Sequence, residues 1–296
     1  MSSVFRISRI GVVAKHHLRQ AAPHLADIST WLNNQGLQAV FETATAALCS
    51  PVCDWPVRDK EALVREVDIV LVLGGDGTLL GMADRIGEAG LSIPILGVNF
   101  GSLGFLTEVT LPELYPALEA TVSGRAHIEE RLMLQSTTIR KSAPSVTHIA
   151  LNDVVVTKTA RSRLIDLSIS VGDEFVTRVK GDGLIIATAT GSTAYNLSAG
   201  GPIVHPAVDA LVITPIAPHT LSNRPIVISA SSAVRVQPLM EDRDEVFVTF
   251  DGQSGYQLQA GDELRIGHAE KPLRLIRPST RSYFEVLREK LKWGER

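Results

Sequence analysis

Short apolar runs alternate with helix-period stretches over the first 110 residues. SRIGVVA (8–14) reads as a strand. Leu18, Leu25, Ile28 and Leu32 then recur at helical spacing and stop at Gly36, while Pro23 marks a break or a first turn. LQAVFE (37–42) reads as a second strand. DIVLVL (68–73) is apolar at nearly every position, as expected of a strand covered on both faces. Thr78 to Ile86 reads as a helix and IPILGVN (93–99) as a fourth strand. Strand and helix in alternation predict a parallel sheet with crossover helices.

From about residue 130 the texture changes. ALNDVVVTK, LIDLSISV, EFVTRVKG, GLIIATAT, AVRVQP, EVFVTF and YQLQAGDELRIG are short, rich in Val, Ile and Thr, and separated by Gly, Asp and Pro. That pattern predicts an antiparallel sandwich or sheet pair. SYFEVLREKLKW (282–293) predicts a closing helix with Phe284, Leu287 and Leu291 on one face. The expected fold class is therefore α/β plus β: an α/β, Rossmann-like domain over residues 1–125, a mostly antiparallel β-sandwich over 126–275, and a terminal helix in 276–296.

The length of 296 residues agrees with about two domains at ~150 residues each. Lys+Arg 29 against Asp+Glu 32 leaves a net charge of −3, which argues against a protein that holds nucleic acid by charge. A small anionic ligand held by a few local cations is compatible with it. MSSVFRISRIGVVAKHH has only a short apolar run and no cleavage pattern, so no signal peptide is expected. No stretch reaches the ~18 uninterrupted apolar residues of a membrane helix, so no membrane partner is expected either. Cys49 and Cys53, in CSPVC, lack the second ligand pair of a structural zinc site and are expected to be inert thiols of a cytoplasmic chain. His16, His17, His127, His148, His205, His219 and His268 show no metal-ligand spacing.

The sharpest local feature is Gly74-Gly75-Asp76-Gly77-Thr78, directly after the apolar strand. Glycines there let the backbone approach a phosphate, and the following helix offers free N–H groups and the positive end of its dipole. The run is neither the dinucleotide fingerprint nor a P-loop. Asp76 would repel phosphates unless it held Mg²⁺ or received a proton from an attacking hydroxyl. The plain alternative is an Asp-Gly turn with Thr78 capping the helix.

A second feature is Lys180-Gly181-Asp182-Gly183, followed after LIIATAT by Gly191-Ser192-Thr193-Ala194-Tyr195-Asn196-Leu197-Ser198-Ala199-Gly200-Gly201-Pro202. Small side chains admit a flat ring, Tyr195 can stack or hydrogen-bond, and hydroxyls read polar edges. Asn152-Asp153 offers an amide and a carboxylate side by side, suited to the two hydroxyls of a ribose or simply to the start of a strand. Asp251-Gly252-Gln253 reads first as a hairpin turn.

Together GGDGT, GVNFGSLGFL (97–106), Asn152-Asp153 and above all DGLIIATATGSTAYNLSAGGPI (182–203) resemble the ATP- or polyphosphate-dependent NAD kinases of bacterial type. GGDGT alone is shared with lipid kinases; the GSTAYNLSAGGP segment is what singles out NAD kinase. The resemblance implies transfer of the terminal phosphoryl of ATP to the 2′-hydroxyl of the adenosine ribose of NAD, giving NADP. It implies Asp76 as general base with Gly77 beside it at the nucleotide. Asn152 and Asp153 would bind ribose hydroxyls, and Thr193, Ala194, Tyr195, Asn196, Leu197 and Ser198 would line the adenine and ribose pocket. Asp182, Ala217 and Gln253 would complete the site, with Arg163 and Lys180 bringing positive charge. Lys180 resembles the basic residue of enzymes that prefer NAD to NADH.

The resemblance further implies an active site in the cleft between the domains and a last segment that returns to the first domain. It implies homodimers or homotetramers built through the β domain, with neighbouring subunits contributing to a site. Mg²⁺ would enter mainly on ATP phosphates, with no protein cage of its own. Two alternatives stand beside this reading: a lipid kinase sharing the GGDGT loop, and a non-catalytic NAD-binding sensor.

Overall fold

The computed structural model describes residues 7–49, 55–101, 103–140, 144–159, 164–220, 222–240, 245–277 and 281–294. Cys53 and Arg163 lie outside the described residues. The chain divides into two units, one of residues 1–130 with 273–296 and one of residues 131–272.

In chain order the first unit contains β1 (Arg9–Ala14), α1 (Ala22–Asn34), β2 (Gln38–Glu42), α2 (Thr43–Ala46) and β3 (Val57–Arg58). There follow α3 (Lys60–Glu66), β4 (Ile69–Leu73), α4 (Asp76–Glu88), β5 (Pro94–Asn99), β6 (Val109–Thr110), α5 (Leu114–Val122) and β7 (His127–Arg131). The second unit contributes β8 (Leu134–Ile139), β9 (Val146–Ala150), β10 (Asp153–Lys158), β11 (Ile165–Val171), β12 (Glu174–Gly181) and β13 (Gly183–Thr188). It continues with α6 (Tyr195–Ser198), β14 (Ala210–Ile216), β15 (Ile226–Ser229), β16 (Val234–Pro238), β17 (Val246–Phe250), β18 (Ser254–Leu258) and β19 (Glu263–His268). The chain ends with β20 (Leu273–Arg277) and α7 (Tyr283–Leu291), both in the first unit.

The sheet of the first unit has the order β3-β2-β1-β4-β5-β20-β7, with β6 beside β5. The pairings β2–β3, β1–β2, β1–β4, β4–β5, β5–β20 and β5–β6 are all parallel. β4 and β5 are buried at every position, which is why their sequences show no alternation. α1 buries Leu25, Ile28 and Leu32, and Pro23 occupies its first turn, where the missing N–H costs nothing. The chain leaves β1 towards β2 on one side and leaves β4 towards β5 on the other. The carboxyl ends of β1 and β4 are thus the switch point at which such sheets leave a crevice, and Gly74 stands there.

Two details differ from the sequence reading. The helix after β4 begins at Asp76 rather than Thr78, with Gly75 as its cap and no side-chain capping bond from Thr78. α7 buries Val286 and Leu287, while Phe284 is 58% exposed, so the apolar spacing alone chose the wrong neighbour.

The second unit stacks two antiparallel sheets, β15-β14-β13-β10-β17-β18 and β12-β11-β16-β19-β8-β9. Val154, Val156, Leu184, Ile186 and Phe250 from the first meet Leu167, Ile169, Val236, Leu264 and Ile266 from the second in one core. Each such fully buried side chain contributes about 1.5–3 kcal/mol relative to exposure. The other face of β10, β13 and β14 carries Val155, Ile185, Ala187 and Val212, covered by Ala199 and Val204. Covered on both faces, β13 is buried throughout, which accounts for the unbroken apolar run GLIIAT.

Candidate active site

In the first unit the site is built on the turn from β4 into α4. The Gly74 N–H donates to Val98 O at 2.8 Å, and a side chain at 74 would press on Thr78 Oγ1 and Lys15 Cβ at 2.8 and 3.0 Å. Gly75 and Gly77 are different. Nothing lies within 4 Å of where their side chains would stand, and neither has a positive φ. The fold itself therefore demands no glycine at 75 or 77, and their bare backbone leaves open space beside Asp76.

Asp76 opens α4, where a carboxylate complements the helix dipole. Its Oδ2 accepts the Phe105 N–H at 2.8 Å. Its Oδ1 accepts the Leu106 N–H at 3.1 Å, the Thr107 N–H at 3.0 Å and the Thr107 hydroxyl at 2.9 Å. A methyl group at Gly104 would overlap Asp76 Oδ1 and Thr107 Oγ1, so that glycine is set by the carboxylate's own packing. The turn from Gly104 to Thr107, at the end of GVNFGSLGFL, is thus the cradle of Asp76.

In the second unit, motifs far apart in sequence converge at one end of β10 and β13. The Asp251 carboxylate accepts the Leu151 N–H on Oδ2 at 2.7 Å and the Asn152 and Asp153 N–H groups on Oδ1 at 2.7 and 3.0 Å. Asp251 sits in the left-handed region at φ 51°, which Asp tolerates better than most residues. Thr188 binds the same turn, its hydroxyl donating to Leu151 O at 2.7 Å and its N–H to Asn152 O at 2.9 Å. A side chain at Gly191 would overlap the Asn152 carbonyl. Asn152-Asp153, Thr188–Gly191 and Asp251 therefore form one knot, with Gln253 exposed two residues on. Sequence reasoning missed Asp251 as the anchor; the only local signal was its Asp-Gly pair.

The hydroxyl-rich loop is stapled from within. Ser192 Oγ donates to Ala189 O at 2.6 Å and accepts from Val204 N at 2.9 Å. Asn196 is fully buried: its amide donates to Ser192 O and Pro202 O, and its Oδ1 accepts the Thr214 hydroxyl at 2.6 Å. Its polar atoms thus brace the loop. Tyr195, beside it, is 45% exposed and free to meet a ring. Thr193, Ala194 and Leu197 are half-buried and Ser198 is exposed.

Lys180, Asp182 and Ala217 gather elsewhere. The Asp182 N–H donates to Ile216 O at 3.0 Å, and His219 N–H to Lys180 O at 2.8 Å. Lys158 Nζ stands 3.4 Å from Asp182 Oδ1. This group adjoins Gly183, which pairs with Thr157, whereas Asp153 pairs with Ala187. The two groups lie at opposite ends of one strand pair, about 14 Å apart at ~3.4 Å per residue.

Burial, reinforced by the neighbouring Asp251 charge, pushes the Asp153 carboxyl up to about 7. Burial also pushes Asp251 up, against the three N–H bonds that favour its charged form. Between pH ~4 and 7 the folded chain therefore holds a proton on Asp153 that the unfolded chain releases. That stabilisation is complete at the acid end and is lost as pH rises through 7. Asp153→Asn should raise the thermal midpoint of the ligand-free protein at pH 8, by on the order of 3 kcal/mol in stability, with the gain shrinking towards pH 5. Melts across that range check it; an equal gain at both ends refutes it.

Comparison with known proteins places this arrangement. Residues 10–126 match the family described as the ATP-NAD kinase N-terminal domain, and residues 151–278 the ATP-NAD kinase C-terminal domain. The NAD kinase of Geotalea daltonii is 46% identical over 290 residues, covering 98% of this chain and all of the relative. That of Syntrophotalea carbinolica is 45% identical over 291 residues, with 98% and 100% covered. Yeast NADH kinase in complex with NADH superposes with a TM-score of 0.88 at 26% identity, over 98% of this chain and 89% of that one. An NAD kinase from Archaeoglobus fulgidus in complex with ATP gives 0.75 at 26% identity, over 95% and 99%.

Fold and relatives together define a phosphotransferase acting on an alcohol acceptor. Full-length identity of this order settles which one: the chain belongs to the NAD kinase family. No helix among the described residues is long and apolar enough to cross a membrane.

Proposed function

We propose that the protein phosphorylates NAD at the 2′-hydroxyl of its adenosine ribose, with Asp76 as general base. The observation that carries the reading is the Asp76 carboxylate, held rigidly at the start of α4 between two glycines that the fold does not require. The hydroxyl oxygen bonds to the γ-phosphorus of ATP while the bond from that phosphorus to the β–γ bridging oxygen breaks. The hydroxyl proton passes to Asp76 and thence to water; the products are NADP and ADP. Mg²⁺ arrives as part of the ATP substrate, neutralising phosphate charge.

Asn152 and Asp153 bind ribose hydroxyls, Tyr195 lies against the adenine, and Thr193, Ala194, Leu197, Ser198 and Gln253 line the pocket. Asn196 acts from beneath, by bracing the loop. Gly77 leaves room for the nucleotide. Lys180, Asp182 and Ala217, at the far end of the strand pair, serve the site of a neighbouring subunit in a homodimer or homotetramer built through the β unit; Arg163 adds charge at the pyrophosphate. The cytoplasm is the proposed compartment.

Purified protein given NAD and Mg-ATP should form NADP, read with an NADP-specific dehydrogenase. Polyphosphate in place of ATP, and NADH in place of NAD, then define donor and acceptor. NAD binding without NADP from either donor would leave a sensor, and no NAD binding would redirect the search to lipid acceptors.

A further inference from the structure

We infer that Thr107, oriented by Asn99, is a positioning residue that leaves Oδ2 of Asp76 as the proton-accepting oxygen. The inference rests on the proposed role of Asp76 as base. A carboxylate has about four lone-pair sites, two on each oxygen. Oδ1 accepts from Leu106 N, Thr107 N and Thr107 Oγ1, whereas Oδ2 accepts only from Phe105 N among the described residues. Oδ1 is saturated, and Oδ2 keeps room for one proton.

The direction of the Thr107 hydroxyl follows from its neighbours. The Gly101 N–H donates to Asn99 Oδ1 at 2.6 Å, which fixes which end of that amide is the acceptor. The other end, Asn99 Nδ2, donates to Thr107 Oγ1 at 3.1 Å. A hydroxyl that accepts there turns its single proton elsewhere, and Asp76 Oδ1 receives it at 2.9 Å. The bonds thus run one way: Gly101 to Asn99, Asn99 to Thr107, Thr107 to Asp76. Thr107 is 0% and Asn99 8% exposed, so water does not compete for these groups. Gly104 closes the arrangement, since any side chain there would part the carboxylate from the hydroxyl.

Thr107→Val keeps the β-branched shape and removes the hydroxyl; Thr107→Ser keeps the hydroxyl. The expected result is a kcat about 10-fold or more below native in the Val variant, with KM for NAD and ATP within about twofold, and recovery to within about threefold in the Ser variant. Added to Asp76→Asn, Thr107→Val should lower kcat no further, because both changes remove one function. Native turnover in Thr107→Val overturns the inference, as does a loss of the same size with and without the Asp76 carboxylate. Full activity in Asp76→Asn alone would instead end the proposed base role, so the two failures are distinct. Should Thr107→Val not fold, Asn99→Leu reads the same relay: a several-fold drop in kcat at unchanged KM supports it, and native kcat overturns it.

Discussion

Asp76→Asn should lower kcat on the order of 100-fold or more, while KM for NAD stays near native. A decade of rate corresponds to about 1.4 kcal/mol, so the carboxylate is being asked for roughly 3 kcal/mol of transition-state stabilisation. Phosphoryl transfer leaves the protein little beyond alignment, charge neutralisation and the proton, and an amide cannot take the proton. The cradle also predicts a side effect. The amide oxygen can replace Oδ1 before Leu106 N, Thr107 N and the Thr107 hydroxyl, but the amide nitrogen then faces the Phe105 N–H, donor against donor. An unmet donor costs about 1–3 kcal/mol, so the variant should melt a few degrees lower yet remain folded. Steady-state kinetics with a thermal melt check both halves. Native turnover would remove Asp76 as the base and leave it a structural anchor of the 105–107 turn.

Much of this was legible in the sequence where the signal is local. The unbroken apolar runs of β4, β5 and β13 announce strands covered on both faces, because burial on each side removes the alternation. GGDGT declared itself through one carboxylate among glycines. What supports that carboxylate was not legible, because Phe105, Leu106 and Thr107 lie about 30 residues on and three of their four bonds come from backbone N–H groups that any sequence carries, the fourth from the Thr107 hydroxyl. LRLIR carries no local mark of its place, although as β20 it enters the first sheet beside β5; its pairing depends on the chain returning after residues 131–272 of another unit. Phe284 failed for a related reason: helical spacing says which residues share a face, whereas packing decides whether that face is covered.

Asp251 is the clearest case of a residue whose importance only the fold reveals, and it carries the second large expected effect. Asp251→Ala should lower the thermal midpoint on the order of 10 °C, because it strands the Leu151, Asn152 and Asp153 N–H groups at a buried turn. It also places Ala at φ 51°, a left-handed conformation that Asp adopts more readily than Ala. Asp251→Gly separates the two causes, since it relieves the backbone but not the orphaned donors, and it should recover only about 1 kcal/mol. The turn so released carries Asn152 and Asp153, so KM for NAD should rise about tenfold or more in both variants, well beyond any change in kcat. The charge that helps to raise the Asp153 carboxyl goes too, so its protonation should move to lower pH in either variant. A large fall in melting temperature with an unchanged KM for NAD would break the chain of reasoning at a definite link: Asp251 would still anchor the turn, but the turn would not hold the ribose.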